Sequence, residues 1–272
     1  MNKTIQLLLF ISLLISPVTF AEKISLERIY SDPSLSGKSP SKLKLSPDGK
    51  RATYIQARTD DYTRYDLWEY NVASGKRTML VDSKALVSSA EILSDEEKAR
   101  RERLRVYGKG ILEYTWSADS KALMFPLNGD VYYFDLQNKQ SKKLTNGEGF
   151  ATDVKFSPKG NFISFVREQN LYVIDIKSGQ TKALTTLGGD TIKFAMAEFV
   201  AQEEMNRMTG YWWSPDETTI ALTKVDMSPV EVVTRNEIYA ESIKLVDQRY
   251  PYAGTERGRS FPELGLAQQR AH

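Results

Sequence analysis

Apolar and polar positions along this chain fall into a unit that recurs four times: an apolar residue, a Ser-Pro-Asp-Gly-like turn, then an extended apolar run. Leu45-Ser46-Pro47-Asp48-Gly49-Lys50 leads into Arg51-Ala52-Thr53-Tyr54-Ile55, and Trp116-Ser117-Ala118-Asp119-Ser120-Lys121 into Ala122-Leu123-Met124-Phe125. Phe156-Ser157-Pro158-Lys159-Gly160-Asn161 leads into Phe162-Ile163-Ser164-Phe165, and Trp213-Ser214-Pro215-Asp216-Glu217-Thr218 into Thr219-Ile220-Ala221-Leu222. Pro and Asp set the turn geometry, and Gly, Asn or Ser tolerates the tight corner.

The second half of the unit recurs as well. Asp66 to Asn71, Asp130 to Asp135 and Asn170 to Asp175 are runs of β-branched and aromatic residues, each ending in a hairpin-turn sequence. A fourth short strand such as Lys142-Lys143-Leu144-Thr145 follows. Ser117 and Ser157 stand 40 residues apart, the period of a four-stranded propeller blade. The flanking intervals, 71 and 57 residues, are lengthened by insertions. The fold class is therefore all-β with small helical insertions, a partial β-propeller of about four blades. A plain β-sandwich does not predict self-similarity at this period.

The first insertion runs from Ser83 to Gly110. Ser94-Asp95-Glu96-Glu97 reads as an N-cap with acids in the first turn, and Lys98 to Arg105 continues with strong helix formers and a basic end. Taken alone, this is an exposed, salt-bridged helix. The second insertion runs from Gly188 to Tyr211, and Phe194 to Met205 has helix-compatible composition. It carries adjacent acids, Glu203 and Glu204, in an apolar and small-residue setting. Two neighbouring carboxylates repel, so they persist where water or a cation meets them. An α-ammonium group, with three donors to share, is one such cation; a solvated face is the other reading. Tyr211, Trp212 and Trp213 are expected to fill the core at the blade's first strand.

Ala197-Glu198-Phe199-Val200-Ala201-Gln202-Glu203-Glu204-Met205, together with Gly210-Tyr211-Trp212-Trp213-Ser214-Pro215-Asp216, resembles the dipeptidyl peptidase IV family of serine exopeptidases, particularly its bacterial branch. Asp226 to Glu231 and Tyr239 to Tyr252 resemble the strands that follow, including Tyr250-Pro251-Tyr252-Ala253-Gly254-Thr255. The resemblance implies an eight-bladed propeller and a C-terminal α/β-hydrolase domain. It also implies that Glu203 and Glu204 capture a peptide N-terminus, and that an arginine of the first insertion binds the substrate carbonyl. Among Arg100 to Arg105 the expected residue is Arg101, then Arg103. Members of the family are often homodimers, and no cofactor or metal is implied.

Residues 1–21 read as an export signal: Lys3, an apolar run from Ile5 to Ile15, and small Thr19 and Ala21 before a cleavage point. The expectation is a periplasmic or secreted protein without a membrane span once processed. The chain has no cysteine, so packing alone must stabilise it. A net charge of +2 implies no nucleic-acid partner. Propeller character is expected over 22–255, and 256–272 reads as a divergent tail without strand alternation, as a shifted reading frame would give. Gly-x-Ser-x-Gly does not occur, and the one histidine is His272, so this chain alone is expected to be inactive. Two functions follow: the substrate-recognition part of a serine-type dipeptidyl peptidase, binding peptide N-termini weakly in isolation, or a non-catalytic peptide- or protein-binding propeller.

Overall fold

In the computed structural model, residues 23–146 and 149–266 are described. Two compact units are present, residues 1–38 and 39–272. The described part of the first contains the short helix α1 (Leu26–Tyr30), whose opening turn is capped by the Ser25 hydroxyl accepting from the Arg28 amide. The expected export signal and His272 lie outside the described residues.

In the second unit the repeated sequence pattern becomes repeated sheets, four of them among the described residues. The first is β1 (Ser41–Leu45), β2 (Arg51–Ala57), β3 (Arg64–Asn71) and β4 (Arg77–Val81), with the short β5 (Lys109–Gly110) parallel to β3. Helices α2 (Ser83–Leu86) and α3 (Asp95–Leu104) occupy the first insertion. The second sheet is β6 (Thr115–Trp116), β7 (Ala122–Leu127), β8 (Asp130–Asp135) and β9 (Gln140–Lys143). The third is β10 (Thr152–Phe156), β11 (Phe162–Arg167), β12 (Asn170–Asp175) and β13 (Thr181–Ala183). In the fourth, β14 (Ile192–Phe194) and β15 (Tyr211–Trp213) pair with one edge of β16 (Thr219–Asp226), while β19 (Arg259–Leu266) pairs with the other. Helix α4 (Phe199–Glu203) lies between β14 and β15; the hairpin β17 (Val232–Ile238) and β18 (Ile243–Arg249) lies between β16 and β19.

The serines that mark each repeat have a structural reason. Ser46 and Ser117 are buried, and each hydroxyl donates to the aspartate two residues on while accepting the amide five residues on. Ser214 repeats this with Asp216 and the Thr219 amide. The third turn has Lys159 where the others have aspartate. Its carboxylate comes from the next sheet: Glu217 accepts from the Lys159 amide at 2.5 Å and from Asn161 Nδ2 at 2.7 Å.

Adjacent sheets are joined by side-chain hydrogen bonds and by apolar cores. Between the first and second, Trp116 Nε1 donates to Thr53 Oγ1 (2.8 Å), the Tyr114 hydroxyl donates to the Lys42 carbonyl (2.7 Å), and Lys44 Nζ donates to the Tyr114 carbonyl. Between the third and fourth the same set returns: Trp213 Nε1 to Ser164 Oγ (2.9 Å), the Tyr211 hydroxyl to the Asp153 carbonyl (2.5 Å), and Lys155 Nζ to the Tyr211 carbonyl (3.0 Å). Lys42 and Asp153 sit at β-bulges with φ of 53° and 49°, which turns both carbonyls toward the tyrosines. All three junctions also share apolar cores; that of the second and third sheets is Met124, Val131, Leu144, Ile163, Phe165 and Ile174, flanked by the edge-on pair Tyr133 and Phe156. Burial lowers the affinity of Lys155 and Lys44 for their protons and pushes the Tyr114 phenol up to about 12.

Three local expectations are corrected. The helix expected over 194–205 is confined to Phe199–Glu203: Phe194 is in a strand, and Ala195 has φ of 59°, outside helical space. Residues expected to lack strand character form β19, because its backbone pairs with β16 from Thr219↔Leu266 to Asp226↔Arg259 whatever its side-chain pattern. Trp212 is 46% exposed rather than core; its neighbours Tyr211 (fully buried) and Trp213 (stacked on Phe162 at 5.8 Å) supply the packing.

Candidate functional site

Helix α3 begins as its sequence demands, with Ser94 Oγ accepting the Glu97 amide at 3.2 Å. It ends with Arg105 in the left-handed region, its N–H turned back to the carbonyls of Arg101 and Glu102. Its arginines divide the work. Arg101 donates from Nε to Glu97 (2.7 Å) and from both terminal nitrogens to Glu91 (2.9 Å each), and only 12% of its side chain is exposed. Arg100 makes a two-pronged contact with Glu113 at 2.8 and 2.9 Å. These pairs line a cavity of ≈ 90 Å³ together with Pro126, Leu127 and Phe150. Burial pushes the Glu97 carboxyl up, against the pull of Arg100 and Arg101.

The second insertion leaves and rejoins one strand position. The Ala195 amide donates to the Thr223 carbonyl at 2.8 Å, and the Thr223 amide donates to the Gly210 carbonyl at 2.8 Å. Met196 and Thr209 then bridge, and Thr223 Oγ1 donates to the Met196 carbonyl. Gly210 lies so close that a Cβ there would stand 2.5 Å from Met196 backbone atoms. Within this frame Glu198 caps α4, its two oxygens accepting the Val200 and Ala201 amides at 2.8 and 2.7 Å. Glu203 is the last residue of α4 and Glu204 its C-cap, both exposed. Carboxylates at the carbonyl end of a helix meet a negative field, which favours a cation beside them.

The two insertions meet here. Arg103 Nε donates to Glu203 Oε1 at 2.8 Å, and Arg103 Nη1 donates to Gln202 Oε1 at 2.9 Å. Gln202 is held in that orientation because its Nε2 donates to the Ala197 carbonyl at 2.6 Å. The guanidinium lies 5.3 Å above the Phe199 ring, which contacts Tyr250 edge-on at 4.9 Å. Of the four residues singled out from the sequence, Glu203 and Arg103 are in contact, Glu204 follows Glu203 as the C-cap of α4, and Arg101 is held apart by Glu91 and Glu97. Gln202, Phe199 and Tyr250 belong to the same cluster. Gln202 sits beside the acid pair, but no spacing in the sequence links Phe199 to Tyr250.

Among the described residues, no group of three or more His, Cys, Asp or Glu is placed to hold a metal ion. No helix among them is long and apolar enough to cross a membrane.

The sheets resemble the crystal structure of Porphyromonas gingivalis dipeptidyl peptidase 4, with TM-score 0.60 and 21% identity over 82% of this chain and 30% of that one. At that identity the likeness concerns the fold, and it supports a propeller fragment. Residues 113–261 match the family model of the dipeptidyl peptidase IV (DPP IV) N-terminal region, and the chain belongs to that family. It is 27% identical over 188 residues to Homo sapiens dipeptidyl peptidase 8, covering 60% of this chain and 21% of that protein. It is 27% identical over 197 residues to a probable dipeptidyl-aminopeptidase B of Emericella nidulans, covering 68% of this chain and 20% of that protein. The chain thus spans about a fifth of the length of these relatives.

Proposed function

We propose that this chain is the substrate-recognition part of a serine-type dipeptidyl peptidase that removes N-terminal dipeptides. In this reading Glu203 and Glu204 receive the α-ammonium group of a peptide, and Arg103 its nearby carbonyl. The observation that carries it is the contact between Arg103 and Glu203, which brings together residues 100 positions apart from two separate insertions. Two of the five N–H donors of an arginine are engaged by Glu203 and Gln202, so the guanidinium can hold Glu203 and still donate to a carbonyl. The ammonium group offers three donors to the two carboxylates. An acylated N-terminus has neither the charge nor those donors.

The acid pair is exposed, and ion pairs in such places contribute about 0–1 kcal/mol, so weak binding is expected of the chain by itself. Peptide cleavage requires a nucleophile and base that this sequence does not contain as a Gly-x-Ser-x-Gly and histidine set; in the proposal those come from further sequence of such a peptidase. Export to the periplasm or the medium, with residues 1–21 removed, is part of the same proposal. Chemical-shift titration with Ala-Ala and with N-acetyl-Ala-Ala tests the site. The expected result is saturable binding of the free dipeptide only, lost in Glu203→Gln; equal binding of both peptides would overturn it.

A further inference from the structure

We infer that Tyr250, at the root of the β17–β18 hairpin, is a positioning residue that acts through Phe199 on Arg103, so that the placement of the hairpin is felt at the acid pair. The inference rests on the reading of Glu203 and Glu204 as the ammonium site.

Three observations support it. The first is an unbroken stack: the Arg103 guanidinium is 5.3 Å from the Phe199 ring centre, and the Phe199 and Tyr250 rings are 4.9 Å apart at 69°. A guanidinium is held to a ring face by the ring's quadrupole, and an edge-to-face neighbour fixes the plane of that ring. Phe199 is the first residue of α4, so the same ring also sets the helix that ends in Glu203.

The second is the rigidity of the hairpin root. The Tyr250 amide donates to the Glu231 carbonyl at 3.0 Å, the Tyr252 hydroxyl donates to the Glu231 carboxylate at 2.5 Å, and Arg249 Nη1 donates to the Val230 carbonyl at 2.7 Å. Tyr250 consequently moves with the hairpin rather than as a loose side chain.

The third is an electrostatic influence of the hairpin on the other end of α3. The hydrogen bond between Asp95 and Lys98 lowers the Asp95 carboxyl and raises the Lys98 ammonium; Lys244 adds a smaller pull on the first, and Glu237 and Tyr239 on the second. The hairpin therefore lies within electrostatic reach of the start of α3, while Tyr250 is linked through Phe199 to its end. A shift of the hairpin bears on α3 at both places. Arg103 faces the transmitted change because Arg100 and Arg101 are fixed to Glu113, Glu97 and Glu91. The conspicuous Tyr250-Pro251-Tyr252 segment thereby acquires a role.

The test uses the full chain in wild-type, Tyr250→Ala, Tyr250→Phe and Glu203→Gln forms. The Arg103 Nε–H signal is assigned by its loss in Arg103→Lys, and Ala-Ala affinity is measured by titration. In Tyr250→Ala we expect the Arg103 Nε–H signal to move and affinity to fall about two- to ten-fold, the range an aromatic pair supports. Tyr250→Phe keeps the ring and should stay within two-fold of wild type. The Trp116 and Trp213 indole N–H signals report whether the sheets remain folded, and they should not move. An unchanged Arg103 signal in Tyr250→Ala overturns the inference, as does a moved signal with unchanged affinity while Glu203→Gln abolishes binding. If Glu203→Gln leaves affinity intact, the ammonium-site reading falls, and the Arg103 signal alone then decides whether Tyr250 positions that side chain.

Discussion

Glu217 of the fourth sheet accepts a hydrogen bond from Asn161 of the third at 2.7 Å, and at 2% exposure it is almost sealed from water. Burial alone would raise its carboxyl; hydrogen bonds from Ser157, Asn161 and the Lys159 amide outweigh that and lower it. Replacing Glu217 by Ala leaves the Lys159 amide and the Asn161 side chain without this acceptor, which costs about 1–3 kcal/mol. Urea unfolding should show that loss, and Asn161→Ala should then add little to it. A change below about 0.5 kcal/mol would show the carboxylate to be dispensable.

That staple also marks the limit of sequence reading. Four Ser-containing turns were visible along the chain, and so was the sheet after each. Lys159, however, looks like an ordinary variant of the aspartate position until Glu217 is seen to fill it from 58 residues away. The α3 N-terminus was legible because Ser94 and the first-turn acids are local signals. The choice among Arg100, Arg101 and Arg103 was not, because it depends on Glu91, Glu113 and Glu203, whose distances from the helix are set by packing. The strand at 259–266 was illegible for another reason: it is held through backbone pairing, which leaves no mark on side-chain alternation.

The two arginines of α3 should separate cleanly. Arg101→Ala leaves Glu97, whose side chain is 5% exposed, and Glu91 without their main partner. Breaking so buried an ion pair costs about 3–5 kcal/mol. Arg103→Ala removes a partly exposed contact and should cost about 0–1 kcal/mol while weakening the binding of Ala-Ala, because the donor to its carbonyl is lost. Thermal unfolding and titration on both variants check this; a stable Arg101→Ala protein that loses binding would reverse the roles.

Gly210→Ala should damage the frame of the second insertion. The added methyl would sit 2.5 Å from Met196 backbone and from Thr223 Oγ1, so the chain must move. Overpacking of this kind costs about 1–3 kcal/mol. We expect a lowered unfolding midpoint and shifted amide signals at Met196 and Thr223; an unchanged spectrum would contradict the close approach.

Acid should weaken the fold between about pH 4 and pH 2. Asp60, Asp61 and Asp216 are each held down to about 2 from 3.8, first by hydrogen bonds from Arg58, Thr63 and Ser214 respectively. A depressed carboxyl stabilises the folded state above its unfolded pKa, and that contribution disappears as pH falls through the folded one. The melting temperature should therefore decline across that window. A flat profile from pH 4 to pH 2 would count against these hydrogen bonds.

Purified chain should release no chromophore from dipeptidyl anilides, since no Gly-x-Ser-x-Gly is present. Turnover that is sensitive to serine-directed inhibitors, from a homogeneous sample, would overturn this.

The closure of the second insertion onto Thr223 has a consequence for how such a protein can change. Ala195 and Gly210 together serve one partner residue and Met196 bridges to Thr209, so everything within that bridge hangs outside the strand ladder. Lengthening or shortening residues 197–208 need not slide a single pair between β14, β15 and β16. Doubling such a loop costs only about 0.6 kcal/mol in closure entropy. The acid pair sits on an exchangeable cassette, and natural variation or a designer can rewrite what it greets while the sheet behind it keeps its register.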